Sequence, residues 1–298
     1  MATTYLDVFL EKSGYAVHEI NTIIVGLSSI EDQTFTKPSN LTISWSTNDP
    51  KASARKARQF ALKSAIIFID DALAVYLKGI KDCVDDSILA SILSRKNPFY
   101  NEDLKNEINI DLRKLLKKLE ERKNGKEKDK KYIDLDSADR IRCLPYFFQF
   151  PNNYWIPTVI LLICWRNRIA HSTSMSQLTQ VEVEILKEYA EEISSKYAKI
   201  DIGLTIRNFN AGIITLKDFT TFISMTINLV KFIDKSIVPK KGIKLIEEYL
   251  KSNEDKRKAF EKIMSHPDKK VKQRKFKSFL KTNMPHLLNT WEEHYPNN

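Results

Sequence analysis

The run IPTVILLICW at residues 156–165 is apolar on every side, and it ends abruptly in RNRIAH. It is about half the length of a membrane span, so it reads as a helix buried in a protein core. A second segment, KASARKARQFALKSAIIFIDDALAVYLKGI at 51–80, is the clearest long helix, basic at its start and apolar nearly all round in its middle. It too should be central. The rest of the composition agrees: 7 Gly and 10 Pro stand against 48 Lys+Arg and 38 Asp+Glu, few breakers and many helix formers. The expected fold is all-α, an up-and-down helical bundle with additional C-terminal helices. With 298 residues, 42% of them apolar, the chain can build one large domain or two small ones.

The periodicity predicts helices over 3–11 and 15–29, the second carrying Val17, Ile20, Ile23, Ile24 and Leu27 at helical spacing. The pattern breaks over 32–51, where LTISW suits a short extended piece and Pro38 and Pro50 punctuate a loop. Further helices are expected at 84–95, 104–121, 154–170, 181–200 and 216–237. ERKNGKEKDKK at 121–131 reads as a charged loop. Ser137 opens SADRIRCLPYFF, and HSTSMSQLT at 171–179 reads as a helix end followed by a new N-cap. The texture changes at 240. Residues 251–283 hold 12 Lys+Arg against 4 Asp+Glu, with Phe260, Phe276 and Phe279 interleaved. The chain therefore divides into a bundle domain, 1–239, and a basic helical appendage, 240–298. The appendage suits either nucleic-acid backbone binding or, at this helical spacing, packing of its phenylalanines into a core; an amphipathic membrane-surface helix is a third reading.

The net charge is +10 and the pI about 9.2, which fits a polyanionic partner as well as a merely solvated basic surface. The three cysteines, Cys83, Cys143 and Cys164, are odd in number and far apart, so neither a disulfide framework nor a zinc knuckle is expected. They suit a reducing cytoplasm. MATTYLDVFLEKSG lacks the basic-then-apolar pattern of a signal peptide. No GxGxxG turn, GxxxxGK[ST] loop, HExxH pair or GxSxG elbow occurs. Nucleotide hydrolysis and zinc chemistry lose their usual signatures. No cofactor or metal is expected.

What remains is CWRNRIAHST at 164–173. Among the five histidines, His18, His266, His286 and His294 have bland surroundings, whereas His171 follows Arg166, Asn167 and Arg168. Residues four apart on a helix share a face, so Asn167 and His171 point the same way, and Arg168, three before His171, can flank it. A histidine at an accessible helix terminus titrates near neutrality, and a nearby arginine keeps part of it neutral and able to act as a base. This set suits metal-independent cleavage of RNA. A base removes the 2′-OH proton, the 2′ oxygen attacks phosphorus, an arginine stabilises the extra negative charge, and an acid protonates the leaving 5′ oxygen. The blander reading is that Arg166 and His171 cap a helix C-terminus, where cations are favoured.

Arg166-Asn167-Arg168-Ile169-Ala170-His171 resembles the Arg-x4–6-His motif of the HEPN superfamily, in which a polar residue often follows the arginine. The resemblance covers six residues plus a generic helical architecture. It implies an up-and-down bundle acting as an endoribonuclease of a toxin or antiviral-defence system. Arg166 and His171 would be catalytic, with Asn167 beside them in a supporting role. It further implies a homodimer whose two motifs line one cleft, together with an antitoxin or activating defence partner. Some members carry a tyrosine shortly after the histidine that a partner nucleotidyltransferase modifies; here Ser172, Thr173 and Ser174 follow instead. The alternative is a HEPN-like module that binds nucleotide or RNA, or scaffolds a partner, without catalysis.

Two secondary sets complete the expectation. Asp70 and Asp71 interrupt the apolar middle of the long helix, and a buried carboxylate needs a partner. Members of the superfamily often place an acidic residue near the motif arginine, so either aspartate can orient Arg166 or form an ordinary structural ion pair. Arg55 and Arg58, one turn apart, can bind RNA phosphates or form a solvated face.

Overall fold

The computed structural model describes residues 2–32, 48–84, 86–124, 134–171, 176–251 and 253–285. Among these residues every regular element is helical: α1 (Ala2–Glu31), α2 (Pro50–Gly79), α3 (Ser87–Leu93), α4 (Glu102–Lys105), α5 (Ile110–Asn124), α6 (Ser137–Cys143), α7 (Trp155–Ala170), α8 (Gln180–Glu188), α9 (Ala190–Lys196), α10 (Ile202–Ala211), α11 (Leu216–Lys251), α12 (Glu254–Met264) and α13 (Lys269–Asn283). The expected LTISW piece and residues 125–131 of the charged loop lie outside the described residues.

Local chemistry sets the helix ends. Asp49 accepts the Ala52 N–H at 2.9 Å and Pro50 occupies the first position of α2, where its missing N–H costs nothing. Thr179 and Glu182 form a reciprocal capping box on α8. Gly212 closes α10 in the left-handed conformation (φ 68°), which a residue without Cβ adopts freely.

Side-chain contacts fix how the four long helices run. Tyr5 at the start of α1 lies against Gly79 at the end of α2, while Glu31 at the end of α1 pairs with Arg58 near the start of α2. These two helices are therefore antiparallel, and Gly79 is required because any Cβ would collide with the Tyr5 ring. Gln59 reaches Ile214 just before α11 and the Tyr76 hydroxyl reaches the Val230 carbonyl, so α2 and α11 run parallel. Trp155 packs on Phe232 and Trp165 on Phe222, so α7 and α11 are antiparallel. The result is an up-down-up-down four-helix bundle with α2 and α11 across a diagonal. Its core includes Phe9, Leu62, Ile66, Tyr76, Ile160, Trp165, Phe222 and Leu229. A smaller cluster, with Ile92, Leu112, Leu116 and Cys143, sits under α3, α5 and α6.

Several boundaries differ from the sequence-based expectation. Helices expected at 3–11 and 15–29 are one helix, because Phe9, Ala16 and Ile20 bury a continuous face that offsets the ~1 kcal/mol an interior Gly14 costs. The helix expected at 181–200 is two, α8 and α9, parted at Tyr189 (φ −93°, ψ 11°), whose ring packs on Tyr154. The one expected at 104–121 is likewise parted into α4 and α5. The change of texture at 240 marks no break in the backbone, since α11 runs through it to Lys251. Leu250, Phe276, Phe279, Leu280 and Met284 join the same core as the bundle, so the C-terminal phenylalanines are packing residues.

Among the described residues no single helix is long and apolar enough to cross a membrane. Residues 202–211 and 216–237 meet that test only as a pair bent by 108°, and their Phe209, Phe219, Phe222 and Leu229 are buried in the core.

Candidate functional site

The motif occupies the last turn of α7. Residues Trp155 to Trp165 are buried with the exception of Ile156, and Arg166 is the first side chain to emerge. His171 is the C-cap residue: its backbone leaves the helix (φ −134°, ψ 97°), its N–H still bonds the Asn167 carbonyl at 2.9 Å, and it is exposed. A core helix thus delivers the arginine and the histidine to the point where the bundle meets solvent.

Arg166 is held from α2. Its Nε lies 3.1 Å from Asp70 Oδ2 and its Nη2 3.8 Å from Asp71 Oδ1, with the Arg166 side chain 28% exposed, Asp70 5% and Asp71 64%. Of the two readings left open for these aspartates, the one that pairs them with Arg166 is what the geometry gives. The pair is incomplete. The Nε–Oδ2 contact lacks hydrogen-bond alignment, and Asp70 Oδ1 is buried without a hydrogen-bond partner. Burial pushes the Asp70 carboxyl up to about 6, with Asp71 adding to the rise, while Arg166, Arg140 and Arg95 pull it back only in part. Desolvation therefore outweighs attraction, and the ionised Asp70 is a net cost to the fold.

Asn167 sits between the motif and the following segment. It accepts from Arg166 Nη1 at 3.4 Å and donates to Ser176 Oγ at 3.3 Å. Arg168 is elsewhere. Its Nε donates to the Ser176 carbonyl at 3.2 Å, its Nη1 to the Phe209 carbonyl at 3.0 Å, and its guanidinium stacks 3.7 Å from the centre of the Phe209 ring. A guanidinium satisfied by two carbonyls and an aromatic face is a brace between α7 and α10, not a flank to His171. No hydrogen bond joins Arg166 to His171 among the described residues.

Arg55 and Arg58 separate despite being one turn apart. Arg58 makes a bidentate pair with Glu31 at 2.9 and 3.1 Å and ties α1 to α2, which leaves its fork unavailable to a phosphate. Arg55 is exposed and lines a shallow groove with Lys56, Gln59, Phe60 and Lys63. Phe60 is 75% exposed. Three cations around an open aromatic ring make a surface suited to a single-stranded polyanion. Sequence reasoning missed Lys56, Phe60 and Lys63, although their i, i+4, i+7 spacing puts them on one helix face.

No protein-family model, curated protein or solved structure significantly matches this chain.

Proposed function

We propose that this chain is an endoribonuclease of HEPN type that cleaves RNA without a metal, acting as a homodimer in antiviral defence or as a toxin. The observation that carries the reading is the unsaturated Arg166–Asp70 pair at the open end of the core helix. The arginine is positioned from behind by a carboxylate, yet keeps donors and 28% of its side-chain surface for a ligand. A saturated pair such as Arg142 with Glu182 leaves little for a ligand, and a helix-capping arginine needs no carboxylate from a neighbouring helix.

In this reading His171 takes the proton from the RNA 2′-OH. The 2′ oxygen then forms its bond to phosphorus while the bond to the 5′ oxygen breaks. Arg166 stabilises the charge that builds on the non-bridging oxygens, and Asn167 holds Arg166 from the other side. The second copy's motif supplies the acid for the leaving 5′ oxygen. The products are a 2′,3′-cyclic phosphate and a 5′-hydroxyl. The groove beside Arg55 and Phe60 gives the strand a second point of attachment.

The test is digestion of a mixed RNA pool in excess EDTA by wild type, Arg166→Ala and His171→Ala, with end-group analysis. Cleavage by wild type to cyclic-phosphate ends, lost in both variants, supports the reading. RNA bound and uncut by wild type turns the protein into a binding module. Equal cleavage by all three removes the motif from the chemistry.

A further inference from the structure

A second basic constellation lies on the far side of Asp70 from Arg166, since Arg140 and Arg95 also act on the Asp70 carboxyl. Lys78 in the last turn of α2, Lys81 in the turn that follows, Arg95 after α3 and Arg140 on α6 line one cavity of about 440 Å³ with Ala74, Val75, Leu93 and Ser94. Among the described residues four cations share that wall, and no carboxylate does. A cavity of this size accommodates a nucleotide-sized ligand.

Three observations say that it is built to hold an anion. The first is Arg140, which is 1% exposed. Its Nη1 donates to the Leu93 carbonyl at 3.3 Å and its Nη2 to Ser137 Oγ at 3.1 Å, but its Nε has no partner. A buried guanidinium that makes no direct ion pair among the described residues, and feels Asp70 and Asp136 only at longer range, is costly unless something else supplies more negative charge. Burial and the neighbouring Arg95 pull Arg140 down to about 10, with Asp70 and Asp136 opposing them only partly.

The second is Arg95 itself, which adopts a left-handed backbone (φ 66°). It sits where α3 ends in a Schellman turn, with Arg95 N–H on the Ile92 carbonyl and Lys96 N–H on the Ser91 carbonyl, both at 3.0 Å. Glycine is the usual residue there, and a side chain costs about 1 kcal/mol. The arginine at this position stands against its backbone preference.

The third is charge balance. Among the described residues neither Lys78, Arg95 nor Arg140 lies within salt-bridge distance of a carboxylate, and Lys81 meets only Asp82, at 3.9 Å, on the solvent side. Ala74 and Val75 complete the wall with an apolar surface.

We infer that this cavity is a binding site for a nucleoside polyphosphate, its phosphate chain lying across Arg140, Arg95, Lys78 and Lys81 and its nucleoside against Ala74 and Val75. The concave shape and buried arginine favour a compact, multiply charged end group over a strand of RNA, whose single phosphates suit the open groove beside Arg55. The inference is independent of the ribonuclease reading, since it concerns other residues and is tested by binding alone.

Isothermal titration of the full chain with ATP, inorganic tripolyphosphate, adenosine and a single-stranded RNA oligonucleotide decides it, with wild type beside Arg95→Gly and Lys78→Ala. Arg95→Gly removes a charge and relieves the left-handed strain, so it should fold at least as stably as wild type. The expected result is that wild type binds ATP and tripolyphosphate, that adenosine alone binds far more weakly, and that each variant loses about tenfold or more in affinity, as a lost charge-assisted contact does. RNA affinity should change little. An Arg95→Gly protein with an unshifted Tm and unchanged ATP affinity overturns the proposal. So does a wild type that takes up neither ATP nor tripolyphosphate at millimolar concentration, or one in which RNA binding alone falls in the variants.

Discussion

Two partly buried arginines on adjacent helices treat their carboxylates in opposite ways. Arg142 on α6 meets Glu182 of α8 through Nε at 2.7 Å and Nη2 at 3.2 Å, and Asp139 at 3.4 Å. Glu182 also accepts the Thr179 N–H at 2.6 Å. Burial alone would lower the Arg142 pKa, but the Glu182 bonds outweigh it and the net direction is upward. Arg166 and Asp70 are also drawn together, yet an oxygen of one and the Nε of the other stay unsatisfied, and the Asp70 carboxyl rises to about 6. The first pair is saturated and holds the α6–α8 corner together. The second has bonding capacity left over, at the edge of the molecule. Burial of a charge pair says little by itself; its use depends on how many donors and acceptors remain and whether solvent can reach them.

The two arginines should differ most in activity. His171→Ala should lower RNA cleavage by about 10²–10⁴-fold and Arg166→Ala by about 10²–10³-fold, with Tm close to wild type in both. Thermal melts run beside the cleavage assay check this, and an Arg166→Ala protein that fails to fold would make Arg166 a second brace. Arg142→Ala should do the reverse. It strands Glu182 and Asp139 in the interior and should cost about 3–5 kcal/mol of stability by chemical denaturation.

Asp70→Asn separates the two pairs through pH. The folded-state carboxyl titrates near 6, above its ordinary value of 3.8, so the folded protein holds this proton more tightly than the unfolded chain. Its contribution is then fully present below about pH 4 and is lost as pH rises to about 6, on the order of 2–3 kcal/mol. The asparagine variant should lack that slope and at pH 7 should be as stable as wild type or more so. Denaturation midpoints at several pH values measure it, and a variant much less stable at pH 7 would mean that the Arg166 pair stabilises after all. The smallest effects belong to α2's arginines. Arg58→Ala should cost up to about 1 kcal/mol, since the Glu31 pair is partly exposed. Arg55→Ala should leave stability alone while weakening RNA binding and reducing its salt dependence by about one phosphate contact.

The site was only partly legible in the sequence. Arg166, Asn167 and His171 stand together in six residues, so their joint arrival at the end of α7 follows from the helix alone. The pairing of Asp70 with Arg166 was readable as one of two options, because charged residues inside an apolar helix demand partners without naming them. The partners of Arg168 and Arg58 were not legible for one reason: a helical wheel gives the face of a side chain but not what the neighbouring helix offers it. Phe209 and Glu31 are remote in sequence from the arginines they hold.

The all-helical character, the two core helices at 51–80 and 154–170 and the place of the motif at a helix end were determined by the sequence itself, since helical periodicity, capping residues and the scarcity of glycine are local properties. The tertiary structure alone decided which charges are satisfied. It joined α12 and α13 to the bundle core, saturated Arg142, left Arg166 incomplete and gathered Lys78, Lys81, Arg95 and Arg140 around one cavity. These outcomes depend on residues far apart in the chain, and the energy of a buried charge depends on all of its neighbours at once.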